Sequence, residues 1–263
     1  MPEITEHAPN TFCWPELLTT DIAAARRFYH ALLGWDFVEN PVGEGRVYVM
    51  AQVRGKNAGA MYQLGDEQRK QGIPPHWLQY VSVASVEETA ARAKARGARV
   101  IVEPMDVFDV GRMAVLTDPQ GATFALWQPI KHIGAQLAGE PGASCWNELY
   151  TRDRDGSGAF YTNVFDWASD SANIGDTRYT IFTVEGRPAA GMLEIKPEWG
   201  ELPTMWMVYF AVADCSAAAK IVSSSGGQVF APPTDLPGIG RFAVVCDPQG
   251  ASFGILASAN PAA

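Results

Sequence analysis

Charge is scarce in this sequence. Only 19% of the residues are Asp, Glu, Lys or Arg, while 47% are hydrophobic, which argues against disorder and for well-filled cores. Basic residues are the scarcer sign: 20 Lys and Arg face 29 Asp and Glu, for a net charge of −9. Nucleic acid and anionic membranes are therefore not expected as partners, because phosphate binding needs basic clusters. A cationic ligand is weakly permitted. No apolar run reaches membrane-spanning length, and Met1–Thr11 has no apolar core of an export signal, so a cytoplasmic location is expected.

Ligating and nucleophilic side chains are also few. The four cysteines, Cys13, Cys145, Cys215 and Cys246, have no CxxC spacing and are expected as free thiols. The four histidines, His7, His30, His76 and His132, form no pair at metal-ligand spacing and are expected to be solvated or capping. No P-loop, GxSxG or strand-bound GxGxxG motif is present, which leaves phosphate-cradling and serine-nucleophile chemistry without a carrier.

What the chain does have is a duplication. Cys13-Trp14-Pro15-Glu16-Leu17 returns 132 residues later as Cys145-Trp146-Asn147-Glu148-Leu149, as do Phe28-Tyr29 and Trp35 as Phe160-Tyr161 and Trp167. Asp118-Pro119-Gln120-Gly121-Ala122 returns 129 residues later at Asp247–Ala251, as does Gly111-Arg112 at Gly240-Arg241. So small a drift means one architecture written twice. Within the first copy, alternation and turn signals predict strands over 12–18, 46–53, 58–64, 77–83, 99–102, 112–116 and 123–127. Helices are predicted over 22–33, N-capped at Thr20-Asp21 and ended by Gly34, and over 86–96, ended by Gly97. Residues 65–75 are polar and turn-rich. Each half is thus two modules, and the chain is four. The division expected is a first domain over 1–130, a glycine-rich linker over 131–143 and a second domain over 144–263.

Asp21…Phe28-Tyr29…Leu33-Gly34-Trp35 with the closing Asp118-Pro119-Gln120-Gly121 strand resembles the vicinal oxygen chelate superfamily, which includes glyoxalases, extradiol dioxygenases and bleomycin-binding proteins. The likeness spans both halves. The tandem form with His132-Ile133-Gly134-Ala135 resembles an actinobacterial two-domain branch that includes a mycobacterial antigen and streptomycete proteins labelled hydroxylases. The resemblance implies an α+β fold of four βαβββ modules, arranged as two tandem domains with cup-shaped sheets. It also implies a divalent metal held by His, Gln or Glu on the first and last strands of each module. Carried over, those positions hold Trp14, Met61 (approximately), Leu78 and Ala125 in the first half, and Trp146, Met192 (approximately), Met207 and Gly254 in the second. None is a ligand for a hard or borderline cation, and a one-residue slip would bring in only Gln79. No metal and no other cofactor is expected.

Strand alternation puts Glu16 beside Trp14 and Glu148 beside Trp146 on the cup face. Tyr80, Tyr209, Tyr48, Tyr179, Met61, Met192 and Met207 are expected to complete the apolar lining, with Arg112 and Arg241 as possible clamps for an anionic or carbonyl group. Desolvation would raise the pKa of Glu16 and Glu148 and make each a candidate acid or base. The alternatives stay open: the glutamates could be structural acceptors, and the arginines could pair with Asp106, Asp109 or Asp235. Three functions compete. One is a metal-free binding protein for an aromatic or largely apolar small molecule. Another is a metal-independent enzyme of secondary metabolism acting on a polyketide-like ring. The third is an interaction protein whose cups have become core. A tandem chain can complete its cups alone, so a monomer and a homodimer are both compatible with it.

Overall fold

The computed structural model describes residues 3–43, 45–174 and 177–259. In chain order the first half runs β1 (Phe12–Thr19), α1 (Ile22–Leu33), β2 (Asp36–Pro41), β3 (Val47–Val53), β4 (Lys56–Gln63), α2 (Asp66–Lys70), β5 (His76–Ser82), α3 (Val86–Lys94), β6 (Arg99–Val107), β7 (Gly111–Thr117) and β8 (Thr123–Pro129). The second half runs β9 (Ser144–Thr151), α4 (Arg154–Phe165), β10 (Ala168–Ile174), β11 (Thr177–Val184), β12 (Arg187–Glu194), a single 3-10 turn (Pro197–Trp199), β13 (Met205–Ala211), α5 (Cys215–Ser224), β14 (Gln228–Leu236), β15 (Gly240–Cys246) and β16 (Ser252–Ser258).

Each half forms one eight-stranded mixed sheet, ordered β2-β3-β4-β1-β5-β8-β7-β6 and β10-β11-β12-β9-β13-β16-β15-β14. β1 and β5 run antiparallel at the centre, and each pairs in parallel with the last strand of its own module, β4 or β8. These are four βαβββ modules, two per sheet. Alternation alone missed β2 and cut β6 short, because Asp36, Asn40, Pro41 and Pro104 are poor strand residues. Both strands lie on sheet edges, where a missing N–H costs least.

The helices form where the sequence caps them. The Asp21 side chain accepts from the Ala24 amide at the start of α1, and Gly34 closes it in the left-handed region at φ 70°. α4 repeats the N-cap with Asp153, but Asp166 takes the left-handed position at φ 55° without glycine's freedom. Arg92 of α3 holds that aspartate at 2.7 Å.

The helical faces of the two sheets are turned toward each other, and the cores are shared. α1 packs with α5, and α3 packs with α4. Trp35 and Trp77 of the first half meet Phe210 of the second at ring distances of 5.4 and 5.0 Å, and Tyr29 meets Phe253 at 5.6 Å. Each such ring contributes about 1.5–3 kcal/mol by burial, so neither half has a complete core alone.

The repeated motifs turn out to join the halves. The Tyr29 hydroxyl donates to Asp247 at 3.2 Å and accepts from the Trp77 indole at 3.1 Å. Its counterpart Tyr161 donates to Asp118 at 2.9 Å and accepts from Trp206 at 2.7 Å. The other oxygen of each aspartate accepts backbone amides of its own turn, from Gln120 and Ala122 or from Gln249 and Ala251. Trp35 donates to the Gly142 carbonyl and Trp167 to the Asn10 carbonyl. The chain between β8 and β9 is also pinned: the Ala135 amide donates to Cys13, Gln136 to Asn57 and Gly142 to Ala211.

Candidate functional site: two carboxylate-centred cups

The face of each sheet opposite the helices is the cup. Register decides which side chains reach it. Leu17 lies in the helix-side core, so its β1 neighbours Trp14, Glu16 and Leu18 face the cup. On β5, Leu78 and Tyr80 sit opposite Glu16 and Trp14. On β4, Ala60 pairs with Glu16 and Tyr62 with Leu18, and these are the cup residues there. Met61 pairs with Leu17 and is fully buried among the helices. The second half repeats this: Gly191 and Leu193 face the cup, while Met192 points at α4. The expected placement of Met61 and Met192 in the lining is therefore corrected. The parallel β1–β4 and β9–β12 pairings shift them one residue onto the other face. Met207 does face its cup, opposite Glu148.

Arg112 and Arg241 also leave the site. Arg112 shares a face with Ala114 and Leu116, which are helix-side core, and pairs with Glu87 and Asp106 at the surface. Arg241 grips Asp235 with two nitrogens, each at 2.7 Å. The clamp role assigned to them gives way to these ion pairs. Asp109 pairs instead with Lys131. Gln79 pairs with Pro15 on the face away from the cup, so it does not enter the ligand positions.

What the cups hold is a hydrogen-bonded chain ending on a buried carboxylate. In the first, the Trp14 indole N–H donates to the Tyr48 hydroxyl at 3.0 Å, Tyr48 donates to Glu16 Oε2 at 2.6 Å, and Tyr80 donates to Oε1 at 3.1 Å. In the second, Trp146 donates to Tyr179 at 2.8 Å, Tyr179 to Glu148 Oε2 at 2.8 Å and Tyr209 to Oε1 at 3.0 Å. The second chain is one member longer, since the Tyr150 hydroxyl lies 2.9 Å from that of Tyr209. Direction follows from chemistry. An indole nitrogen can only donate, so each Tyr48 or Tyr179 oxygen accepts from it and sends its own proton to the glutamate. Tyr209 likewise spends its proton on Glu148 and accepts from Tyr150. The ionised glutamate is the acceptor that satisfies every member.

The glutamates are 9% and 7% exposed. Burial pushes both carboxyls above their ordinary range, and the tyrosine donors pull partway back. Among the described residues no Lys or Arg pairs with either one. Burial beside these acids raises the pKa of Tyr48, Tyr80, Tyr179 and Tyr209, so the phenols stay protonated donors. Cys13 and Cys145 donate to the carbonyls of Tyr80 and Tyr209, and burial raises both thiols, Cys145 to about 12. Neither is a nucleophile at neutral pH.

Small residues make room for the tyrosines, which periodicity did not show. A Cβ on Gly254 would run into the Tyr209 ring, and one on Gly191 into the Tyr179 hydroxyl. Ala125 and Ala60 hold the same places in the first sheet. Of these, Ala125 and Gly254 stand at last-strand positions where the resemblance implies a metal donor, and neither side chain can ligate. Each cup offers a divalent ion one carboxylate already engaged by two phenols, and among the described residues no three His, Cys, Asp or Glu gather into a metal site. The donor set does not fit a divalent cation, which needs at least three such ligands. A surface cleft of about 610 Å³ between α3 and α4, lined by Arg96, Gln120 and Asn163, reaches neither cup.

The sequence profile described as the Glyoxalase/Bleomycin resistance protein/Dioxygenase superfamily matches residues 11–126. CFP32 of Mycobacterium bovis is 40% identical over 258 residues, covering 97% of this chain and 98% of that protein. The anthracycline biosynthesis protein DnrV of Streptomyces peucetius is 33% identical over 266 residues, covering 96% and 95%. Among solved structures, a Mn(II)-bound glyoxalase from Novosphingobium aromaticivorans superposes with a TM-score of 0.65 at 16% identity, over 95% of this chain and 82% of that one. The 2,3-dioxygenase LapB from Pseudomonas sp. KL28 gives 0.64 at 13%, over 100% and 95%. The two superpositions show the fold alone.

Proposed function

The chain belongs to the Glyoxalase/Bleomycin resistance protein/Dioxygenase superfamily, and from that premise we propose that it is a metal-free member that binds an aromatic or largely apolar small molecule in a cup. The observation that carries this reading is the twice-built Trp–Tyr–Glu–Tyr chain, whose tryptophans stand at first-strand positions where the resemblance implies metal donors. An indole face and tyrosine edges suit a flat ring. The carboxylate, buried without a cation, keeps free lone pairs for a hydroxyl or amine donor on the ligand. The name of the streptomycete relative makes polycyclic aromatic ring systems of the anthracycline type the first ligands to try.

A second reading is favoured by one observation, the upward shift of Glu16 and Glu148 by burial. A carboxyl so placed can exchange a proton with a ring hydroxyl or an acidic ring carbon. Titration with 1,8-dihydroxyanthraquinone followed by tryptophan quenching tests the first reading: saturable quenching at micromolar concentration supports it, and no quenching across a panel of such rings sinks it. Glu148→Gln then separates the two. A binding protein keeps most of its affinity, whereas an acid/base enzyme keeps binding and loses turnover.

A further inference from the structure

The two cups share one chain of donors and bury their glutamates alike, but they differ in how their tryptophans are covered. Over the first, the linker folds back. The His132 ring stands edge-on to Trp14 at 4.6 Å and packs against Trp127 at 5.8 Å. Its carbonyl accepts from the Trp127 indole at 2.8 Å. The amides of Ile130, Lys131 and His132 all converge on the Val110 carbonyl, and His7 fixes the next turn through the Ala135 carbonyl at 2.7 Å. Trp14 is left 5% exposed.

The second cup is arranged differently at the same points. Trp146 is half-buried, and among the described residues no ring lies against it. The place of Trp127 is held by Leu256, as the matching pairs Met113–Trp127 and Phe242–Leu256 show. Leu18 of the first cup becomes Tyr150, which adds a hydroxyl to the chain. Trp199 on the 3-10 turn stands 6.3 Å from Tyr150, and Arg152 pins that turn through the Gly200 carbonyl at 2.6 Å.

We infer that the second cup alone takes the ligand, and that the first is stoppered by the chain's own linker, with His132 in the space over Trp14 that a ligand ring takes over Trp146. Tyr150 then sets specificity. Its proton is engaged by Tyr209, so its free lone pairs face the ligand and select a hydroxyl or amine donor. This inference rests on the binding reading above.

The test uses the full chain labelled with 5-fluorotryptophan, the fluorine resonances being assigned by single Trp→Phe substitutions. Without ligand, the Trp146 resonance shifts between H₂O and D₂O and that of Trp14 does not; equal shifts would show an open first cup and overturn the inference. With 1,8-dihydroxyanthraquinone, one molecule binds per chain and moves the Trp146 resonance alone. Trp146→Phe weakens binding by about tenfold, the scale of one lost stacking contact. His132→Ala unstoppers the first cup and raises the stoichiometry to two. Two sites in the unmodified chain, or a moving Trp14 resonance, overturn the inference and leave the binding reading standing. Absence of binding at either cup overturns both.

Discussion

Replacing Tyr179 by Phe removes one hydroxyl and tests the direction of the whole second chain. Tyr179 gives its proton to Glu148 at 2.8 Å and accepts from Trp146 at 2.8 Å. The indole is half-buried and can turn to water. The carboxylate cannot, being 7% exposed, and keeps only Tyr209 and the neighbouring Tyr150 as phenol donors. A hydrogen bond to a charged group contributes about 1.5–3 kcal/mol, and losing it pushes the Glu148 carboxyl further up. The sign for stability follows. Glu148 is already raised above its unfolded value, so its contribution is full below the ordinary glutamate range and is lost as pH rises through the folded-state pKa. Tyr179→Phe widens that window upward. Urea unfolding should therefore show a penalty of about 1.5–3 kcal/mol at pH 8 and much less at pH 4. Carbon-13 titration of the labelled glutamate side chain should show its midpoint moving up. A penalty equal at both pH values, or a midpoint that stays or falls, would refute the assignment of an ionised glutamate as the terminal acceptor.

Two further predictions follow from the same geometry. Gly254→Ala places a methyl against the Tyr209 ring; it should destabilise the chain by about 1–3 kcal/mol through overpacking and weaken quenching by the anthraquinone probe, with wild-type binding in the variant as the contrary result. Tyr161→Phe leaves the Trp206 indole and an Asp118 oxygen, both buried, without a partner. It should cost about 2–4 kcal/mol in urea unfolding, and a loss below about 0.5 kcal/mol, the scatter of ordinary surface changes, would show that this link does not join the halves.

Much of this architecture is legible in the sequence because repetition and caps are local. The 132-residue displacement marks the two sheets, and Asp21 with Gly34 marks the first helix. Trp14-x-Glu16 and Trp146-x-Glu148 are legible too, since side chains two apart on a strand share a face. Met61 shows where this reasoning stops. Its neighbourhood, Ala58 to Met61, has no polar side chain, so no alternation says which residues face the cup. Only pairing with Leu17 decides it. Arg112 and Arg241 fail for a related reason, since a duplicated arginine looks the same whether it faces a ligand or an aspartate.

The sequence by itself determined the four modules, the capped helices and the acid beside the tryptophan, because each depends on residues close along one strand or helix. The tertiary structure decided that Phe28-Tyr29 and Asp-Pro-Gln-Gly meet across the halves, with Tyr29 on Asp247 and Tyr161 on Asp118. It also decided that tyrosines from separate strands converge on each glutamate, and that His132 packs on Trp14 while Trp146 stays half-buried. Those contacts join residues far apart in the chain, and they exist only once strand register and the packing of one sheet on the other have been fixed.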